Sequence, residues 1–303
     1  MKLFFILSIL LFLSSCSATF QLKPNIIIIL ADDLGYGDIS PYNSAINYTP
    51  NIQNLADNGI LFTSFYVSVS VCTPTRSALL TGRYPIRDNL NGVIMPGDER
   101  GINGTTKALP EALKQLGYST ALIGKWHLGK EQRYNPLSHG FDYYYGMPYG
   151  QDTAQPEIWR NREMVEAWPD LRQLTTQFTT EAIQFIENAQ QPFYLQCNHT
   201  QPHVPLFSAN EGITGKGIYA DAIAEIDASL GQILAAIDDN TIIIFTSDNG
   251  PYQPSNIELD SDLPIVKWSA KEPWMQDGSY VAAYPEAAEP ERWTGGILTN
   301  NLK

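Results

Sequence analysis

A cysteine, a proline and an arginine stand at alternate positions in Cys72-Thr73-Pro74-Thr75-Arg76-Ser77. Proline fixes its own φ and carries no N–H, so Pro74 closes the extended run before it. Ser77 to Leu80 read as a first helical turn, which leaves Cys72 in a loop at a helix N-terminus. The free N–H groups and the dipole of such a terminus favour an anion. Arg76 can reach back to the same spot, so the run reads as an anion-binding corner with a thiol in it. A buried loop cysteine beside a solvated arginine is the plain alternative.

Four other polar groups stand just after apolar runs. Asp32 and Asp33 follow Asn25–Ala31, and Asp248 and Asn249 follow Thr241–Thr246. Lys125 and His127 follow Ser119–Ile123, and His199 and His203 follow Pro192–Cys197. Asp32, Asp33, Asp248 and Asn249 offer oxygen donors alone, which suit calcium or magnesium and not zinc or copper. An Asp-Asp pair taken alone is more often a helix cap than a ligand. His199 reads as a structural loop histidine, and Arg87, Glu99 and Arg100 as solvated surface.

The four apolar runs are continuous and β-branched, the pattern of strands covered on both faces. Between them lie helical patterns. Thr49–Ala56 has Pro50 near its start and Gly59 as its closing residue, and Thr106–Leu116 ends at Gly117. A third covers Thr176–Ala189. Tyr219–Ile237 carries Ile223, Ile226, Leu230, Ile233, Leu234 and Ile237 in one stripe. Residues 131–175, rich in Tyr, Pro, Gly and Trp, read as long irregular loop. Alternating strands and helices give an α/β fold with a largely parallel sheet. Ligands of such sheets sit beyond the carboxyl ends of the strands, where all four polar groups fall.

The chain has 303 residues with a net charge of −13, which argues against nucleic acid as a partner and leaves any anion site to local charges. Residues 1–16 form an export signal: Lys2, then the apolar core Leu3–Leu13, too short to span a bilayer. Leu13-Ser14-Ser15-Cys16 resembles a bacterial lipobox, which implies a periplasmic or cell-surface lipoprotein held to the membrane only by a lipid on Cys16. Cleavage near Ala18 and secretion is the other reading. With Cys16 acylated, only Cys72 and Cys197 remain as thiols, and Cys197, in an apolar run, reads as a core thiol.

The extended run around Cys72 resembles the sulfatase signature, a Cys-x-Pro-x-Arg core followed by Ser-x-x-x-Thr-Gly-Arg. Cys72, Pro74, Arg76, Ser77, Thr81, Gly82 and Arg83 meet every position. Ala31–Asp38, Thr49–Phe62, Gly124–Gly129, Pro202–Pro205 and Ser247–Gly250 match further blocks of that family in order. Gly140-Phe141-Asp142 and Gly146–Tyr149 are similar to its arylsulfatase and N-acetylgalactosamine-6-sulfatase branch. The resemblance implies an alkaline-phosphatase-like fold, a largely parallel central sheet flanked by helices, over residues 20–303. It implies hydrolysis of a sulfate ester on an aryl group or glycan. It implies a maturation enzyme that oxidises Cys72 to formylglycine, whose hydrate is the nucleophile. Asp32, Asp33, Asp248, Asn249 and residue 72 would hold Ca2+, or Mg2+ in some members. Arg76 would stabilise the hydrate, Lys125 would grip the sulfate and His203 would protonate the leaving oxygen. His127 would take a proton from the second hydroxyl as sulfate departs. A phosphatase or phosphonate hydrolase of the same superfold is the nearest rival.

The match weakens after Gly250. Thr294 stands where the family has a Glu before Gly295-Gly296, and Glu289 stands at the spacing of its second sulfate-binding lysine; Lys267 and Lys271 do not match it. The expectation is therefore a chain lacking that lysine and the family's small C-terminal subdomain. Its residues 251–303 would pack poorly and its catalysis would be weak.

Overall fold

The computed structural model describes residues 23–251 together with Ile265–Lys267 and Tyr280–Ala282. Cys16 and its export signal, Glu289, Lys271 and Trp293–Leu298 lie outside the described residues, as does the packing expected of 251–303.

Seven strands form one sheet: β1 (Asn25–Ala31), β2 (Ser119–Gly124), β3 (Tyr143–Gly146), β4 (Glu157–Arg160), β5 (Glu163–Ala167), β6 (Phe193–Asn198) and β7 (Thr241–Ser247). Their order is β5-β4-β3-β2-β6-β1-β7. The pairings among β3, β2, β6, β1 and β7 are parallel, while β4 and β5 are antiparallel additions at one edge. Parallel neighbours need crossovers, and the helices supply them. They are α1 (Pro50–Asp57), α2 (Cys72–Thr81), α3 (Leu109–Gln115), α4 (Leu174–Asn188) and α5 (Ile218–Ala235). A separate two-stranded pair joins Ile265–Lys267 to Tyr280–Ala282.

Period-two alternation splits the core across the sheet. Ile27, Ile29, Ile123, Leu195, Ile243 and Phe245 face α1, α4 and α5, meeting Ile52, Phe178, Ile223, Ile226 and Leu230. Ile28, Leu122, Tyr144 and Tyr194 face the other way, onto Leu80 of α2, Leu113 of α3, Trp126 and Phe141. With both faces covered, the central strands are apolar throughout, as their composition requires.

Register brings the strand ends level. Leu30 pairs with Asn198, Asn198 with Gly124, and Ala31 with Ser247. The residues that follow β1, β2, β6 and β7 therefore emerge side by side. Gly124 is required here: its φ is +99°, and a Cβ on it would lie 1.8 Å from the Asn198 carbonyl oxygen.

Three expectations are corrected. Residues 131–175 are not irregular loop throughout, because β3, β4 and β5 lie within them. Asn161, at φ +57°, turns the chain after β4, and its side chain and backbone bond to Tyr144 of β3. β5 (Glu163-Met164-Val165-Glu166-Ala167) is an exposed edge with no apolar alternation to announce it. Second, α2 starts at Cys72 and not at Ser77. Pro74 falls in the first turn, where a missing N–H costs nothing, so it admits the helix instead of delaying it. Third, α1 is closed by Asn58, at φ −105°, and not by Gly59 in the left-handed region.

Candidate active site

Asp32 and Asp33 leave the end of β1 and turn apart at once. Asp33 holds φ +63°, a left-handed conformation that a short polar side chain tolerates better than most. The Asp32 N–H donates to the Gln201 carbonyl and the Asp33 N–H to Asp248 Oδ1 at 3.2 Å, so both turns are pinned by neighbouring strand ends.

Asp32 is fully buried and central. Its Oδ2 lies 2.5 Å from Lys125 Nζ and 3.2 Å from Arg76 Nη2. Its Oδ1 is 3.5 Å from Cys72 Sγ. Burial alone would push its pKa up; the Lys125 ammonium and then the Arg76 guanidinium overcome this and hold it well below the ordinary carboxylate range. Arg76 also donates from Nε and Nη2 to Asp248 Oδ2 and from Nη1 to the Lys125 carbonyl. Arg76 is thus a buried strut between β1, β2 and β7, and not the solvated arginine of the plain alternative.

Asp33 is placed differently. Burial, with the negative charges of Asp32 and Asp248, pushes its pKa up to about 7 against the pull of His203. Its Oδ1 accepts from Asn249 Nδ2 at 2.5 Å, while its Oδ2 is 3.6 Å from His203 Nε2. Asp33 Oδ2 and Asn249 Oδ1 are both buried with no hydrogen-bond partner among the described residues. Crowded carboxylates and orphaned oxygens are what a bound hard cation would satisfy, so the donor set fits calcium or magnesium. One ligand atom from each of Asp32, Asp33, Cys72 and His203 falls within 4.8 Å of the others. Asp248 stands next to this cluster, holding Arg76 and the Asp33 N–H, and Asn249 joins it through Asp33.

Cys72 is the first residue of α2, buried, its thiol pKa pushed well up by burial. Lys125 is likewise buried; the Asp32 carboxylate outweighs the burial that would lower its pKa, so it stays charged. His127, at φ +61°, presents Nε2 to the Ile94 carbonyl at 3.0 Å. A carbonyl only accepts, so Nε2 carries the proton and Nδ1 keeps its lone pair. That Nδ1 is buried and unpartnered among the described residues. Burial, Lys125 and Arg76 together push the His127 pKa well below the ordinary value. His203 is opposite in sense. Burial lowers its pKa, yet Asp33 and Asp32 outweigh it and the net shift is upward. Its Nδ1 faces the Val204 carbonyl, which leaves Nε2 turned to Asp33.

Sequence reasoning overlooked several supports. Thr73 Oγ1 donates to the His127 carbonyl and accepts the Ile94 N–H, so it fixes both the base and its partner. Gln151 Nε2 donates to the His203 and Pro205 carbonyls. His199 stands apart, its Nε2 against Ser229 Oγ of α5, in keeping with a structural role.

Comparison with known proteins gives the same picture. The family model for Sulfatase matches residues 24–291, further along the chain than the motif blocks reach. N-acetylgalactosamine-6-sulfatase of Canis lupus familiaris is 39% identical over 261 residues, 75% of this chain and 50% of that protein. Arylsulfatase A of Bos taurus is 37% identical over 264 residues, 75% of this chain and 52% of that protein. Ps i-CgsB, solved in complex with k-i-k-neocarrahexaose, has a TM-score of 0.68 at 29% identity, covering 80% of this chain and 63% of that one. The chain spans about half the length of the curated relatives it matches. By its sequence, its sheet order and the residues at its strand ends, this chain belongs to the sulfatase family.

Proposed function

We propose that the chain hydrolyses sulfate esters, with a sulfated sugar as the substrate class and aryl sulfates as accessible surrogates. The observation that carries this reading is the meeting of Cys72 Sγ with Asp32, Asp33 and His203 within 4.8 Å, beside the buried cations Lys125 and Arg76. A thiol pushed well up in pKa is a poor nucleophile as it stands. Its Sγ marks where the oxygens of formylglycine, made from Cys72 by a maturation enzyme, would stand. Asp32, Asp33, Asp248 and Asn249 would hold Ca2+ or Mg2+, which when bound lowers the pKa of an adjacent hydroxyl and binds sulfate oxygens.

The remaining chemistry belongs to this chain's own side chains. Lys125 supplies fixed positive charge where negative charge gathers on the sulfate, and Arg76, held by Asp32 and Asp248 beside residue 72, would stabilise the hydrate there. His203, its pKa raised, holds a proton on Nε2 for the departing oxygen. His127, its pKa lowered, offers Nδ1 as the base. The two histidines thus have opposite electrostatic settings, as an acid and a base in one site should.

Export through residues 1–16, anchored by a lipid on Cys16 or secreted, would place the enzyme among extracellular sulfated glycans. The test is turnover of 4-nitrophenyl sulfate against 4-nitrophenyl phosphate, using protein co-expressed with a maturation enzyme. Faster sulfate hydrolysis is expected; preference for the phosphate would move the chain to the phosphatase reading.

A further inference from the structure

The β2–β6 ladder ends at Gly124, whose φ of +99° turns the chain away from the strand. Lys125, the next residue, still has both of its backbone groups held, and by one partner. Its N–H donates to the Asn198 carbonyl at 2.9 Å, and its own carbonyl accepts from Asn198 Nδ2 at 2.8 Å. The same carbonyl accepts from Arg76 Nη1 at 2.9 Å. Asn198 thus does with its side chain what the strand ceases to do with its backbone.

A carbonyl only accepts, and that fixes the sense of every bond behind it. Asn198 presents Nδ2 to Lys125, so its Oδ1 faces Gln196 and accepts from Nε2 at 3.1 Å. Gln196 Oε1 in turn accepts the Tyr194 O–H at 2.8 Å. Residues 194, 196 and 198 share one face of β6, as period two requires, and all three are buried. Gln196 pairs with Ile28 of β1 and Leu122 of β2, both core residues of that face. An amide buried among aliphatic side chains costs free energy unless it is bonded, and an apolar residue would fill the strand as well. Here the amides are bonded in series, and the series ends on the residue that carries the ammonium.

We propose that Tyr194, Gln196 and Asn198 form a positioning relay for Lys125, holding its backbone and thereby the ammonium that meets Asp32. The relay deepens the sulfatase reading and rests on it for what Lys125 binds. Tyr194 and Gln196 act through Asn198, and Asn198 acts through Lys125.

In matured protein, Asn198→Leu should lower kcat/KM for 4-nitrophenyl sulfate about tenfold, the order expected of a displaced binding group. Leu195→Ala truncates a core residue on the opposite face of the same strand. It should lower the urea midpoint yet keep kcat/KM within twofold of the parent. Gln196→Leu should cost severalfold alone and nothing further in the Asn198→Leu background, because a relay already cut cannot be cut again. Should Asn198→Leu not fold, Gln196→Leu takes its place and Tyr194→Phe is the second cut, under the same criteria. A loss of kcat/KM no larger than that of Leu195→Ala, or losses that multiply in the double variant, overturn the proposal.

A second measurement needs no turnover. In protein with unmodified Cys72, amide hydrogen exchange at Lys125 should quicken severalfold in the first-cut variant, with little change at Leu122 and Ile123 of β2. No change at Lys125, or an equal change at all three amides, overturns the relay. Failure of the matured parent to hydrolyse 4-nitrophenyl sulfate would overturn the sulfatase reading instead, while the exchange result still decides the relay.

Discussion

Arg76 and Asp248, 172 positions apart in sequence, meet at 2.7 Å between Nη2 and Oδ2 with both side chains buried. The pair ties the N-terminal half of α2 to the end of β7. Asp32 shares the guanidinium, so three strand-end and helix-start elements depend on one cation.

Asp248→Ala should therefore cost far more than one hydrogen bond. It strands most of a buried guanidinium, and breaking a buried pair in this way typically costs about 3–5 kcal/mol. Urea unfolding of the variant should show that loss. A change below about 1 kcal/mol would mean that Arg76 relaxes onto Asp32 alone.

Divalent cations should stabilise the fold directly. Calcium at about 100 times its dissociation constant adds about 2.7 kcal/mol to a protein that binds it only when folded. Thermal unfolding of the Cys72 form should shift upward with calcium and return with chelator. Asp33→Ala should lose the response, because Asp33 gives the cluster its orphaned Oδ2. An identical shift in that variant would locate the ion elsewhere.

Cys72→Ala should abolish turnover with little effect on stability. The Sγ meets Asp32 at 3.5 Å and lies at the start of α2, where alanine also fits. Loss of a nucleophile typically costs roughly 10³-fold or more in kcat, while urea midpoints should stay close to the parent. Mass spectrometry of the peptide spanning Ser70–Arg76 should show the formylglycine in active preparations; an intact thiol in active enzyme would remove it from the mechanism.

Acid should weaken the fold in part through His199. Burial pushes its pKa down to about 4, against about 6.5 in an unfolded chain. Above pH 6.5 the ring is neutral in both states and the stability is fully present. As pH falls through 6.5 towards 4 the unfolded chain takes up a proton that the folded one refuses, so stability drops, by roughly 3 kcal/mol once below 4. His199→Gln should have a flatter profile of urea midpoint between pH 7 and 4.5 than the parent. Parallel profiles would show that the ring protonates in place.

The central strands were readable because burial on both faces leaves a strand no choice but to be apolar. Asp32, Asp33, Asp248 and Asn249 stood out as the first polar residues after such runs. β3 to β5 were not readable for the converse reason. β5 is exposed at the sheet edge, and the turn at Asn161 depends on a partner in Tyr144 that no local pattern reveals. Thr73 and Gln151 were invisible on similar grounds, since each acts on a backbone carbonyl far along the chain. The start of α2 was misplaced because proline was read as a stop, when in a first helical turn it is a permitted start.

The position of β1 between β6 and β7 sets synthesis against assembly. Its carboxylates are made among the first residues of the domain, yet Ile26 must wait for Tyr194 on one side and Ile242 on the other. Closing such distant pairings is the slow part of folding. Asp32 and Asp33 thus leave the ribosome early and acquire their neighbours late. In the interval Cys72 has no completed sheet to bury it, and the site exists only as a promise held in the unpaired edges of a single strand.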